Sequence, residues 1–327
     1  MSSTDAMKHV GTFASEILGN TAFGLESPIS YSGVSLVPIV LTEETQDAQY
    51  LNAAEALKKG TLEITEAGDA VDSILARNTG DVPVLIEEAE VLVADGSQDR
   101  IVVATVILQP GEESRIPVKC VHAPHALRRG VEFSSIGSGS VPLKAGMRRM
   151  KYQSIMTDVE HYAPAAAVDQ SEVWSEVERY CRSLGIKDTT KYTDAMAKIQ
   201  KKARKMAKDV SSSLPENACG FIMVDTNGDV VALEFYRNSR SFNQRNGVLE
   251  SLLVEYCDTK KKPSPKEAAW AEAIQLLLHL KEPKQDQVVS RERSDNIVIG
   301  LHGLKGEAVV GETGKDTPKL LYCSLGK

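Results

Sequence analysis

Apolar residues recur every three or four positions from Thr4 to Leu18 (Met7, Val10, Phe13, Ile17, Leu18). This predicts a short amphipathic helix that stops at Gly19-Asn20 and either docks on the body or joins an oligomer. From Ile29 the period shortens. Val34–Leu41 reads as a strand in which Pro38 implies an edge or a bulge. A short helix over Asn52–Lys59 ends at Gly60. Strand patterns then follow closely at Leu62–Thr65, Asp72–Ala76, Val82–Val93, Ile101–Gln109 and Ser114–Val121. Turn-rich punctuation separates them, such as Asn78-Thr79-Gly80-Asp81 and Pro110-Gly111-Glu112-Glu113. Short strands at this spacing predict an antiparallel sandwich or barrel rather than a parallel sheet.

The pattern is weakest between Pro124 and Val168, where Ser134–Ser140 has the composition of a flexible loop, and the division between halves is placed there. Asp169 with Glu172 opens a helix carrying Val173, Trp174, Val177, Tyr180, Cys181 and Leu184 on one face, and a second helix spans Asp194–Val210. Cys219–Val224 and Val230–Phe235 form a hairpin across Asn227-Gly228. Helices near Ser241–Tyr256 and Pro265–Leu280 follow it. Three short strands close the chain, at Ile297–Leu301, Glu307–Val310 and Lys319–Cys323, and no internal repeat is visible. The expectation is an α+β protein with two domains. Residues 1–150 would be β-rich with an N-terminal helix, and residues 151–327 a mixed α/β domain with helices, the Asn-Gly hairpin and the terminal strands.

Composition narrows the class. At 327 residues with 42% hydrophobic and 5% aromatic residues, the core must be built mainly from Val, Leu, Ile and Ala. A net charge of −7 makes nucleic acid an unfavourable partner unless basic residues are segregated. Five scattered cysteines without a CxxC pair fit neither a disulfide framework nor a structural zinc site. The first twenty residues lack the cationic start and apolar run of a signal peptide, and no stretch has the length of a membrane span. A reduced, cytoplasmic protein is expected, with homo-oligomerisation left open.

Several motifs bear on chemistry. Gly311-Glu312-Thr313-Gly314-Lys315 has two residues between its glycines where a phosphate loop needs four. Gly137-Ser138-Gly139 completes no GxGxxG and shows no strand-to-helix turn. The lysine-rich helix around Lys198–Lys208 reads as a solvated face over an apolar one. Cys120, His122 and His125 have a spacing that suits a metal, but the lack of a second cluster favours a buried thiol with surface imidazoles, so no metal is assigned. The most concentrated constellation is Glu90 with Gln98-Asp99-Arg100 and Cys120. If the strands on either side of the intervening turn pair, the Glu90 carboxylate and the Arg100 guanidinium come within reach, with the Cys120 thiol one strand away. Glu90 would be an acid or base, Arg100 an anion clamp, and Cys120 a nucleophile or a packing residue. A cross-strand ion pair beside a buried cysteine is the other reading of the same residues.

The stretch Tyr50–Gly60 with Leu62–Glu66, then Val82–Leu85, Glu90, Gln98–Arg100, Ile116–Val121, Gln170–Trp174 and the Gly220–Glu234 hairpin together resemble the ARG and rhodanese-phosphatase-superfamily-associated protein domain family. Asp99 stands where the family pattern has Asn. The resemblance covers roughly residues 30–257 and leaves the tail as an addition. It implies proximity to ADP-ribose, NAD or RNA-end chemistry by association. It also implies a site with Glu90 and Cys120 as catalytic residues and Gln98, Asp99 and Arg100 as ligand-binding ones, facing a small phosphorylated or nucleotide-derived ligand. The alternative is a non-catalytic β-sandwich adaptor or assembly protein. No cofactor is specified.

Overall fold

A computed structural model describes residues 1–42, 49–66, 71–122, 130–187, 191–243, 247–284, 286–290, 295–312 and 318–327. His125 and Thr313–Lys315 of the motifs above lie outside them. The architecture is α+β, with a strand-rich N-terminal half and sheets that are antiparallel apart from one short parallel pair, Leu51–Asn52 with Val84–Ile86. No described helix is long and apolar enough to cross a membrane. Two compact units emerge, each assembled from separated stretches of chain.

One unit comprises Met1–Gln49, Met206–Gln244 and Leu252–Lys327. Its nine-stranded sheet runs in the order Phe23–Leu25, Val34–Leu41, Ala218–Val224, Val230–Tyr236, Lys319–Gly326, Leu304–Gly311, Asn296–Leu301, Val288–Ser290, with Ile29–Tyr31 also paired to Val34–Leu41. Helices Ser3–Leu18 and Lys266–Lys281 contribute their apolar faces to the core with Phe23, Val37, Ile222 and Phe235. These two helices approach so closely that a Cβ on Gly11 would lie 2.6 Å from the Lys281 carbonyl oxygen. Val34–Leu41 is an interior strand, not an edge. Pro38 is accommodated because it lies opposite Glu26–Pro28, between the two short strands on that flank, and next to a bulge at Cys219 on the other. The expected tail strands sit inside this sheet, where Lys319–Gly326 pairs with Val230–Tyr236 of the Asn-Gly hairpin and Leu304–Gly311 pairs with Lys319–Gly326.

The other unit comprises Tyr50–Lys205 and Arg245–Ser251. A six-stranded sheet in the order Ser134–Ser138, Glu90–Val93, Arg100–Val102, Glu113–Cys120, Ser73–Asn78, Leu62–Thr65 packs through Leu92, Val102, Ile116 and Val118 on a three-stranded sheet carrying Leu51, Val84 and Leu108. Val91, Ile101, Val103 and Val121 form the opposite surface and pack on helices Val141–Thr157 and Gln170–Ser183. The alternation of these residues between two cores is the two-residue period of a sheet covered on both sides.

Two expectations change here. The apolar run Val82–Val93 is not one strand. It breaks at Glu87–Ala89 into Val84–Ile86 and Glu90–Val93, with Ala89 at a φ of 65°. Ser134–Ser140 is not a flexible loop. It is an edge strand, Ser134–Ser138, that leads directly into helix Val141–Thr157, so a strand-to-helix turn does surround Gly137-Ser138-Gly139. That helix escaped the periodicity because its inward face is half basic: Lys144, Arg148 and Lys151 are buried beside Leu143, Met147 and Ile155.

Candidate functional site

The strands holding the predicted residues do pair: Val91 lies opposite Ile101, Leu92 opposite Arg100, and Cys120 opposite Arg100 on the next strand. Glu90, Arg100 and Cys120 therefore share one face, with Glu90 and Arg100 diagonal neighbours across the ladder. The carboxylate that Arg100 engages, however, is Glu66 at 3.1 Å, with both side chains fully buried, while its other terminal nitrogen donates to Gln98 at 2.6 Å. Arg100 Nε and the second Glu66 oxygen have no hydrogen-bond partner. Glu66 directly follows strand Leu62–Thr65 and entered the sequence reading only as part of the family resemblance.

Asp99 faces the other side of the sheet. Its carboxylate accepts from the Thr193 hydroxyl at 3.3 Å and lies 3.9 Å from both His122 Nδ1 and Lys191 Nζ. The Glu90 carboxylate accepts from the Ser135 hydroxyl at 2.5 Å and from the Glu87 backbone N–H at 3.4 Å. The Cys120 backbone is clamped on both sides by the Gln170 amide, at 2.9 and 2.8 Å, and its thiol donates to the His122 carbonyl at 3.2 Å. Burial pushes the Cys120 thiol up, against opposing effects from the His122 backbone, Arg100 and Trp174. Ionisation to a nucleophilic thiolate is therefore disfavoured in this setting. Among the described residues no group of three or more His, Cys, Asp or Glu side chains could hold a metal ion.

Next to Glu90 lies a second assembly that the sequence reading missed. The buried Glu88 carboxylate accepts from Lys151 Nζ at 2.6 Å and from Arg148 Nε at 2.7 Å, and Lys151 also donates to the Val103 carbonyl at 2.6 Å. Burial raises the Glu88 carboxyl, but Arg148, Lys151 and Lys144 outweigh it and hold it at about 2. The spacing of Lys144, Arg148 and Lys151 by four and three is the signal that would have found this helix face.

Above the same segment the chain leaves space. A solvent-open cleft enclosing about 110 Å³ is lined by Ser138, Ser140, Tyr180, Tyr192, Arg204 and Glu250, among others. Its wall is tied to the predicted region: Ser138 pairs with Glu90, and the Gly139 N–H donates to the Ala89 carbonyl at 2.7 Å. The Ser140 N–H donates to the Tyr192 phenol oxygen, and burial drives that phenol's ionisation far above its usual range. The Ser140 side chain lies against the phenol and opposes that rise.

The family model of the ARG and Rhodanese-Phosphatase-superfamily-associated Protein domain matches residues 23–322. The chain belongs to this family. The match runs well past residue 257, so the tail that the resemblance left outside is part of the family domain, in keeping with its strands' interior place in the nine-stranded sheet. The family's name associates it with the ARG and rhodanese-phosphatase superfamily and specifies no ligand. No curated protein and no solved structure matches the chain.

Proposed function

We propose that the protein binds a small phosphorylated, nucleotide-derived ligand in the cleft beside Ser138–Ser140, of the ADP-ribose, NAD or RNA-end kind that the family association suggests. The observation that carries this reading is the cleft itself. It is a solvent-open concavity with an aromatic wall of Tyr180 and Tyr192 and a few polar groups on its lining: Ser140, Arg204 and Glu250. A concave, partly apolar space with a small set of orienting polar groups is the usual form of a small-molecule site.

In this reading the residues singled out from the sequence act from behind the cleft. Glu90 holds the strand that carries Ser138. Arg100, Gln98 and Glu66 fix the neighbouring strand, and Cys120 fills the next position. A thermal-shift panel of ADP-ribose, NAD, AMP and cyclic and terminal phosphates tests the proposal, with Arg204→Ala as the companion variant because Arg204 is exposed. A ligand at about a hundred times its dissociation constant stabilises the folded state by about 2.7 kcal/mol. A shift in the native protein that shrinks in Arg204→Ala supports the cleft. A flat panel with folded protein replaces this reading with the non-catalytic adaptor.

A further inference from the structure

We infer that the exposed cationic face of helix Tyr192–Ser211 is a track for a single strand of nucleic acid, whose terminal nucleotide is the ligand assigned above to the cleft; the inference deepens that reading and rests on it. Between Asp194 and Asp209 this helix carries six basic residues and no acidic one. Five of them, Lys198, Lys201, Lys202, Arg204 and Lys205, belong to the same unit as the cleft, and all five are exposed. The chain's net charge of −7 disfavours a polyanion only while its basic residues are dispersed, and here they are segregated.

A helix face that served only to stay wet would mix its signs. Helix Gln170–Ser183 in the same unit does so, pairing Glu176 with Arg179 and Glu178 with Arg182 at helical spacing. The lysine-rich helix instead sets Lys198 against Lys202 and Lys201 against Lys205, like charges four residues apart that weaken a helix. Lys201, Lys202, Arg204 and Lys205 make no ion pair among the described residues. A bound polyanion relieves that repulsion and releases its own counterions as it does so.

Two features set the class of polyanion. The apolar side of the helix is already committed, with Tyr192 and Ala195 in the core and Met196 and Ile199 packed against it, so it is not available to a lipid surface. The strip also borders the cleft, whose lining includes Gln200, Ala203 and Arg204 of this helix. Going round the helix from Arg204, the next exposed cations are Lys201, then Lys205 and Lys198. A phosphate backbone can therefore run along the strip while its terminal nucleotide enters the cleft. An acidic peptide would match the charge but bring no nucleotide to the aromatic wall. From Lys198 to Lys205 the helix rises about 10 Å, which puts roughly three phosphates within reach of these side chains. No redox or transfer step is implied, only binding.

The test is binding of the full chain to a 5′-phosphorylated oligoadenylate of about ten nucleotides, followed by fluorescence anisotropy across a salt series. AMP, the oligoadenylate–oligouridylate duplex and polyglutamate are run beside it. Native protein is compared with Lys201→Glu/Lys205→Glu, the milder Lys201→Gln/Lys205→Gln, Arg204→Ala, and Lys266→Glu as a control at an exposed lysine of another helix. Melting curves check that each variant folds. The oligoadenylate should bind at least about ten-fold more tightly than AMP, and its log affinity should fall against log salt with a slope of about −2, as three phosphate contacts on a single strand require. Lys201→Glu/Lys205→Glu should weaken the oligoadenylate at least about ten-fold and flatten the slope, with a smaller effect on AMP, while Lys266→Glu changes neither. If AMP binds but the oligoadenylate binds no more tightly, or if the double variants keep native affinity, the track is overturned while the cleft reading stands. Duplex or polyglutamate binding as tight as that of the single strand overturns it in favour of a different partner. Oligoadenylate binding that needs Lys201 and Lys205 but is untouched by Arg204→Ala would keep the track and overturn its tie to the cleft. If none of these ligands binds folded native protein, both readings are overturned.

Discussion

The Arg100 guanidinium donates to the Glu66 carboxylate at 3.1 Å with both side chains fully out of water. An ion pair in that position resists solvent screening, and losing one partner strands the other charge in a medium that cannot solvate it. Arg100→Ala is therefore expected to lower stability by roughly 3–5 kcal/mol in urea unfolding. Glu66→Gln should cost a comparable amount, and the double variant less than the sum of the two. Additive losses would show that the pair is not coupled. The same burial makes Arg100→Ala a poor probe of ligand binding, because the fold responds before the site does.

A pH dependence of stability follows from Glu88. Its carboxyl lies at about 2 in the fold against an ordinary 4.5, because Arg148, Lys151 and Lys144 favour its charged form more than burial opposes it. A depressed carboxyl contributes stability above its unfolded value, and that contribution is lost as pH falls from near 4.5 toward 2. Its size is roughly 3 kcal/mol. Denaturant midpoints measured from pH 6 down to pH 2 should fall more steeply in the native protein than in Glu88→Gln, which begins less stable at pH 6. Parallel profiles would remove Glu88 as the source.

How far these features were legible depends on what the sequence signal measures. The hairpin across Asn227-Gly228 was readable because a positive-φ turn and alternating strands are local. The pairing of Val34–Leu41 with Ala218–Val224 is not local, and no pattern within either strand names its partner. Glu90, Arg100 and Cys120 were correctly expected on adjacent strands, but Arg100 engages Glu66, which directly follows strand Leu62–Thr65, three positions across the sheet from Arg100's own strand. Helix Val141–Thr157 was missed for a physical reason. Periodicity registers apolar residues, and this helix turns Lys144, Arg148 and Lys151 inward to meet a carboxylate. The cleft was missed with it, because its wall begins at the cap of that helix.

Cysteine reactivity offers a third check. Cys120 is buried and its thiol is pushed up by that burial, whereas Cys257 is partly exposed. At neutral pH a thiol reagent requires the thiolate and access to it. Cys257 should label first in folded protein, with Cys120 modified only after denaturant is added, as read by peptide mass spectrometry. Fast labelling of Cys120 in the native state would show that its strand opens readily and would revive a nucleophilic role.

The last prediction concerns Ala89, a buried residue at a φ of 65° between Glu88 and Glu90. A left-handed conformation costs an alanine roughly 1–2 kcal/mol. Glycine at this position relieves that strain but gives up a buried methyl worth about 0.8 kcal/mol and adds freedom to the unfolded chain. Ala89→Gly should accordingly change stability by less than about 1 kcal/mol. Valine is different, because a branched side chain fits the left-handed region poorly. Ala89→Val should cost at least about 2 kcal/mol. It should also weaken ligand binding in proportion to how far the turn moves, since the Ala89 carbonyl accepts the Gly139 N–H that positions Ser140. Paired unfolding curves and AMP titrations separate the two effects. Stability lost with affinity intact in the folded fraction would detach the strained segment from the cleft, and joint loss would tie the Glu88-Ala89-Glu90 turn to the geometry of the cleft.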